Sequence, residues 1–559
     1  MKEILTMIRN LRFIAIAATS ILFVNNTVAQ EVYYSTSNTA IYGFLDEMTV
    51  ERYIQLNQVI KPYSRKTISN SLLELEKQKE KLNMRQKKEL EYFLQEFMFD
   101  ADTSRVFDHI LKKPLQKINP FKSNKYPLNL VSYRDPNNQL IINPVIGIQV
   151  WNNENGSFLH RWNGASFYAT MHGKWAVYST FRDNYESKEL STINVLTQRQ
   201  GANYRSDGNE YIRVNTGITY NWGWGTIGLI YDDLSWGSGY NGTNIFSGKS
   251  PSFAQLKFNM KPFSWLELNY FHGWLYSMII DSSRSYSFPT TINYSRRDVY
   301  RPKYVAANML TIRPFKNLSF SVGNSIIYSD YNVQPAYLIP VMIFRIADTD
   351  LETKSNTAGN NSQFFLDLSV IPIRKIQIYS SLFIDEISFR RMWDPKKQSN
   401  YISWKAGIKV VNPASSNLNF TFEYTRTNPE VYRHIIPTTA FTSNDFTLGH
   451  YLNDNAQEIF SSLEFKPLSR LVATLAYTGI RKGPNYEGTD AASRWGLPFM
   501  DYVVFESTSV EAKLSYLIKN NISAWLEFSG MNASGDMTMV PEVYKGHTNT
   551  FSIGLAWGR

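Results

Sequence analysis

The sequence contains no cysteine. That absence excludes a disulfide framework, a thiolate zinc site, a cysteine nucleophile and the acylated cysteine of a lipoprotein. Long apolar runs are scarce as well. Mean hydropathy is −0.31, and after the first thirty of 559 residues no run approaches the roughly 18 that a spanning helix needs. A helical membrane protein is therefore excluded. Short catalytic and metal motifs are also missing. The seven histidines, His109, His160, His172, His272, His434, His450 and His547, form no HExxH or other short ligand spacing. No GxSxG occurs, and no glycine-rich phosphate loop follows a strand. Asp232-Asp233 and Asp385-Glu386 are adjacent; on a strand, neighbours point to opposite faces, so neither makes a general acid–base pair by spacing. The expectation is a protein without cofactor, metal or turnover. What the chain has in excess is aromatic residues, with 34 Phe, 35 Tyr and 13 Trp, and a formal charge of +10.

Residues 1–29 carry Lys2, Arg9 and Arg12, then FIAIAATSILFV, then the small-residue end Thr27-Val28-Ala29. This is the pattern of a secretory signal peptide cut before Gln30. Its apolar core is too short to span a bilayer comfortably. Cleavage removes three cations and one anion, so the mature chain stays basic. An exported basic protein suits acidic partners, such as lipopolysaccharide phosphates or an acidic polysaccharide, and not nucleic acid.

From about 38 to 118 the apolar period is helical. Ile41, Phe44, Leu45 and Met48 share a face; Pro62 breaks the chain, and Ser64 is placed to cap a second helix. A third helix starts at Asn83, with Gln86 as the return half of a capping box, and buries Leu90, Phe93, Leu94 and Phe97. So small a bundle needs a larger body to lean on.

Beyond about residue 140 the period becomes two. In NLNFTFEYT, Leu418, Phe420, Phe422 and Tyr424 alternate with Asn417, Asn419, Thr421, Glu423 and Thr425; NISAWLEF and TFSIGLAW repeat the arrangement. One face is apolar and the other polar. About eighteen such segments are expected, near 141–151, 157–170, 174–182, 208–222, 225–233, 252–260, 263–276, 303–313, 316–329, 361–372, 375–389, 401–411, 416–427, 457–465, 469–480, 507–517, 520–530 and 548–557. Short turns such as KPFS, RPFK, IPIRK, NPASS, KPLS and IKNN alternate with long polar segments near 183–207, 234–251, 277–302, 330–360, 428–456 and 481–506. One tight end and one elaborate end is the signature of a transmembrane β-barrel, and an even strand number returns both termini to the periplasm. A soluble sandwich has no reason for that asymmetry, and no blade repeat supports a propeller. The expected fold is an all-β transmembrane barrel of antiparallel strands (126–559) with a small N-terminal helical bundle (30–125) on the periplasmic side. Such a barrel encloses an aqueous lumen, which the bundle or inward loops would have to plug.

Read in order, IYGFLDEMTVERYI and KPYSRKTI in the helical part, WGSGYNG after the fifth strand, PAYLIPVMIFR in the 330–360 loop, and NPEVYRHIIPTTAFTSNDFTLGHYLNDNAQE resemble the Wzi capsule-assembly family over most of the mature chain. The resemblance implies an outer-membrane barrel that attaches capsular or other surface polysaccharide to the cell as a lectin, with polysaccharide-export or outer-membrane assembly proteins as further partners. The composition is similar to that of Bacteroidetes members, in which the polysaccharide need not be capsule. The family's sugar-contacting residues lie in variable loops and do not carry over residue by residue.

Sugar binding asks for aromatic faces against C–H surfaces and for amides or charged forks against hydroxyls and carboxylates. Three loop groups supply them: Trp236, Tyr240, Asn241 and Asn244; Arg433, His434, Tyr451 and Asn453; and Arg481, Lys482, Tyr486 and Arg494. A scaffold of an outer-membrane assembly complex is an alternative reading, and two other classes make different demands. A transport channel needs an open lumen, and an outer-membrane lipase or acyltransferase needs a Ser and a His meeting at a barrel rim.

Overall fold

The structure is a computed structural model and describes residues 31–97, 100, 128–135, 138–205, 208–290, 294–355, 359–413, 417–486 and 493–558. The leader expected before Gln30 and the part of the expected helical segment from 101 to 118 lie outside them. Eighteen barrel strands follow the chain order: β1 (Asn138–Asn153), β2 (Gly156–Met171), β3 (Trp175–Glu186), β4 (Glu210–Asn221), β5 (Gly225–Asp232), β6 (Phe253–Phe263), β7 (Leu266–Ile280), β8 (Tyr300–Phe315), β9 (Leu318–Ser329), β10 (Asn361–Ile373), β11 (Ile376–Glu386), β12 (Tyr401–Val411), β13 (Leu418–Thr427), β14 (Ala456–Leu468), β15 (Leu471–Lys482), β16 (Phe505–Lys519), β17 (Ile522–Gly535) and β18 (His547–Trp557). Each pairs antiparallel with the next, and β18 closes on β1 from Phe551 opposite Asn152 to Trp557 opposite Ile146. They correspond one for one to the alternating segments of the sequence. A short strand, Val131–Arg134, covers the remaining edge of β1 opposite Gln139–Ile142.

Alternation sorts the side chains between two environments. On β18, Phe551, Ile553 and Leu555 are exposed, whereas Thr548, Thr550 and Ser552 are buried. On β13 the buried set is Asn419, Thr421, Glu423, Thr425 and Thr427. Polar groups line the inside and apolar groups the outside, the arrangement a bilayer requires of a barrel. Among the described residues no helix is long and apolar enough to cross a membrane.

The helices are α1 (Thr39–Val50), α2 (Arg65–Glu76) and α3 (Met84–Phe97). Ser64 Oγ accepts the Thr67 N–H at 3.1 Å. Asn83 and Gln86 form the reciprocal box, with the Gln86 N–H on Asn83 Oδ1 at 2.9 Å and the Asn83 N–H on Gln86 Oε1 at 3.1 Å. Their common core holds Phe44, Leu45, Met48, Leu72, Leu90 and Phe93. Against the barrel they meet the short-turn end. Arg374 Nε donates to the Glu51 carbonyl at 3.1 Å, Gln55 Nε2 to the Phe315 carbonyl at 3.0 Å, and Arg85 Nε to Asn417 Oδ1 at 3.0 Å.

The opposite end carries the long connections, and it differs from expectation in detail. Residues 154–155 turn tightly there, while 387–400 and 536–546 are further loops. A tight hairpin at that end is possible because Gly156 has φ +117°, a conformation open to glycine and strained for other residues.

Candidate functional site

The loop from β5 to β6, residues 233–252, folds into the lumen. Backbone N–H groups at its tip find wall carboxylates: Ser238 N and Oγ both donate to Asp367 at 2.7 Å, and Tyr240 N and Asn241 N donate to Glu423 at 2.6 and 2.9 Å. Lys405 Nζ reaches the Asn241 carbonyl and Glu423 Oε2, each at 2.9 Å. The turn needs Gly239 at φ +152°, where a Cβ would meet the Gly242 carbonyl oxygen at 2.4 Å. At the root of the loop, Trp236 pairs with Ile60 and Ser235 with Lys61 as a two-stranded bridge, and the Gly237 N–H reaches the Val59 carbonyl at 2.8 Å. The N-terminal segment and the inward loop therefore join inside the barrel.

This arrangement sets the role of the first residue group. Trp236 is wholly buried, its ring 5.2 Å from Phe271 and 5.5 Å from Phe246. Asn244 is wholly buried as well and donates to the carbonyls of Ser381 and Ser403 at 3.2 and 3.0 Å. Asn241 is buried and bonded by Gln198. Tyr240 lies under the Lys409 ammonium, 3.7 Å from the ring centroid. All four hold the loop in the lumen.

The second and third groups come together at the long-loop end. Arg433 Nε pairs with Asp454 Oδ2 at 3.1 Å and its NH1 donates to the Tyr486 carbonyl at 3.3 Å. Lys482 Nζ donates to the Asp454 carbonyl at 2.6 Å. Arg494 Nε donates to Glu430 Oε2 at 2.5 Å, and its carbonyl accepts from Tyr401 OH at 2.7 Å. Burial and the nearby Arg494 charge push the His434 imidazole down to about 4; its Nδ1 sits 2.6 Å from Thr439 Oγ1. Tyr451 is buried and bonds Glu458. Asn453 sits at φ +58° in the turn closed by its N–H on the His450 carbonyl, 2.9 Å. Arg481 is exposed and pairs with Glu506 at 3.4 Å, and Tyr486 OH donates to the Pro498 carbonyl at 2.9 Å. Arg433, His434, Arg481 and Tyr486 retain access to solvent; Lys482, Arg494 and Tyr451 do not.

Loops 387–400 and 493–504 form the rest of this face. The Gly496 N–H donates to the Gln398 carbonyl at 2.9 Å and Gln398 Nε2 to the Leu497 carbonyl at 3.3 Å. On this frame Trp393 is 85% and Phe389 79% exposed. The Arg391 guanidinium stacks 4.0 Å above Trp495, and Arg426 lies 3.7 Å above Phe499. Tyr502 is exposed beside them in sequence. Flat rings with charged forks are the chemistry that sugar recognition asks for.

The model for the family of the capsule assembly protein Wzi matches residues 152–516. The chain belongs to this family. Wzi of Escherichia coli, an outer membrane protein involved in group 1 capsule assembly and a carbohydrate-binding β-barrel, superposes with a TM-score of 0.56 at 9% identity, over 95% of this chain and 100% of its own. OprD of Pseudomonas aeruginosa gives 0.41 at 9% identity, over 75% of this chain and 94% of its own. OpdK of the same organism gives 0.41 at 8%, over 75% and 98%. No curated protein sequence matches this chain.

In this outer-membrane barrel of the Wzi family, the three residue groups of the sequence analysis leave out the exposed rings Phe389, Trp393 and Tyr502 and the Arg-stacked Trp495. The available signal was FRRMW and SRWGLPFMDY, in which rings and arginines cluster at and beyond the end of the expected strand 375–389. A cavity of about 640 Å³ also remains between the plug and the wall of β1–β5, bordered by Asp46, Lys61, Arg182, Arg213, Asp232 and Lys409. Among the described residues no three His, Asp or Glu side chains come together as metal ligands.

Proposed function

We propose that this barrel binds surface polysaccharide, capsular or other, on its long-loop face and so holds the polymer at the cell, without chemical turnover. The observation that supports the reading is the pair of exposed rings Phe389 and Trp393 on the loop whose Arg391 stacks on Trp495 of the neighbouring loop. Arg433, His434, Arg481 and Tyr486 form the accessible remainder of the same face and supply donors for hydroxyls and carboxylates. Arg494 acts at one remove, fixing the 493–504 loop through Glu430 and Tyr401, and the first group acts by holding the 233–252 loop in the lumen. An acidic polymer suits the basic balance of the chain.

The test is a deletion strain with polysaccharide assayed separately in the cell-bound and medium fractions. Polymer moving to the medium at unchanged total is the expected result; an unchanged distribution sinks the anchoring role. Complementation with Trp393→Ala or Trp495→Ala should retain less polymer, with roughly fivefold weaker binding for about 1 kcal/mol lost per ring.

A further inference from the structure

Alternate side chains of each strand face the membrane, and on β9 these are Leu318, Phe320, Val322, Asn324, Ile326 and Tyr328. Phe320 and Val322 are 40% and 38% exposed, as lipid-facing groups should be, but Ile326 and Tyr328 are 0% exposed. The same change occurs on the neighbours: Tyr270 and His272 of β7 and Ala306 and Asn308 of β8 face away from the lumen and are buried.

Their cover is part of the β9–β10 loop, comprising a 3₁₀ turn (Pro335–Leu338) and α4 (Phe344–Ser355). Tyr337 and Phe344 pack on Tyr270, Ala306, Ile326 and Tyr328, with Met342, Ala347 and Leu351 around them. The contact is also polar. Asn308 Nδ2 donates to the Met342 carbonyl at 2.8 Å, Asn324 Nδ2 to Asn308 Oδ1 at 2.7 Å, and the Phe344 N–H to Asn324 Oδ1 at 2.8 Å. Tyr270 OH donates to the Tyr337 carbonyl at 2.8 Å. Asn324 lies five residues inside the end of β9, so the segment descends along about 16 Å of strand.

Two amides exposed to hydrocarbon would be costly. The segment satisfies them and turns the opposite face outward, where Val341 is 69% and Ile346 66% exposed, with Leu338, Ile339 and Ile343 also exposed. This run continues the bare apolar wall of Phe320, Val322, Phe364 and Leu366. Among the described side chains of α4, Arg345 and Asp350 are the exposed charged ones, of the kind an interfacial helix presents to headgroups.

We propose that residues 335–351 form a re-entrant segment that lies in the outer leaflet against β7–β9, with lipid acyl chains as the occupant of the face made by Leu338, Ile339, Val341, Ile343 and Ile346. Because the chain has no cysteine, Val341→Cys and Ile346→Cys can each carry a single nitroxide label on the full-length protein in phosphatidylcholine vesicles. Phe320→Cys serves as the lipid reference and Lys397→Cys, on an exposed loop, as the aqueous one. Both sites are exposed, so folding should persist, and heat-modifiable gel mobility verifies it. The expected result is a ratio of oxygen to nickel-chelate collisions several-fold above that of Lys397→Cys and matching Phe320→Cys. A ratio matching Lys397→Cys would place the segment in water and overturn the proposal. Protection from both reagents would overturn it equally, because a protein and not lipid would then cover the face.

Discussion

Lys405 on β12 touches Glu423 of β13 and the inward loop at Asn241, and it lies 4.0 Å from Glu458 of β14, with all three charges wholly buried. A buried pair is weak evidence for stability, but removing one partner leaves a charge without compensation. Lys405→Met should therefore cost about 3–5 kcal/mol, read as a lower urea midpoint for loss of heat-modifiable mobility. Lys405→Met with Glu423→Gln should recover most of it, and a double variant no better than the single would contradict this account. His434 gives a pH dependence. Its pKa of about 4 in the fold lies below the ordinary histidine value of about 6.5, so between those values the unfolded loop binds a proton that the folded one refuses. The contribution is complete above about pH 6.5 and is lost as pH falls toward 4. Hydrogen exchange across residues 428–455 should accelerate over that window, and His434→Gln should flatten the profile.

At the scale of elements, the capping box of α3 is separable from the barrel. Asn83→Ala should cost about 1 kcal/mol locally, seen as faster exchange at the start of α3 with strand protection unchanged. The box was legible because it lies within four residues, and all eighteen strands were legible because two environments enforce one period on each. Loop placement was not. Nothing local in WGSGYNG tells that Trp236 belongs with Phe271 inside the barrel, since its partners lie on strands far along the chain. The re-entrant segment did leave a trace: Asn308 and Asn324 occupy outward positions on otherwise apolar faces, and a polar group there calls for a cover. The exposed rings Phe389 and Trp393 were not legible, because nothing local distinguishes a ring left in solvent from one such as Trp236 that is buried against distant strands.

For the whole molecule, a stopper entering from both ends predicts little current. Reconstituted in a planar bilayer, the protein should show no steady open level, and deleting residues 237–246 should raise conductance while the bundle remains. Porin-like steps from the intact chain would move weight to the transport class.

The bridge between Ile60–Lys61 and Ser235–Trp236 also has a consequence for the stopper. One half belongs to the helical segment at the short-turn end and the other to a loop from the long-loop end, and they meet within the cylinder. The contacts that close the β1–β18 seam and those that seat the stopper share no residue. A defect confined to these four residues should therefore loosen the stopper while leaving the seam from Phe551 opposite Asn152 to Trp557 opposite Ile146 intact.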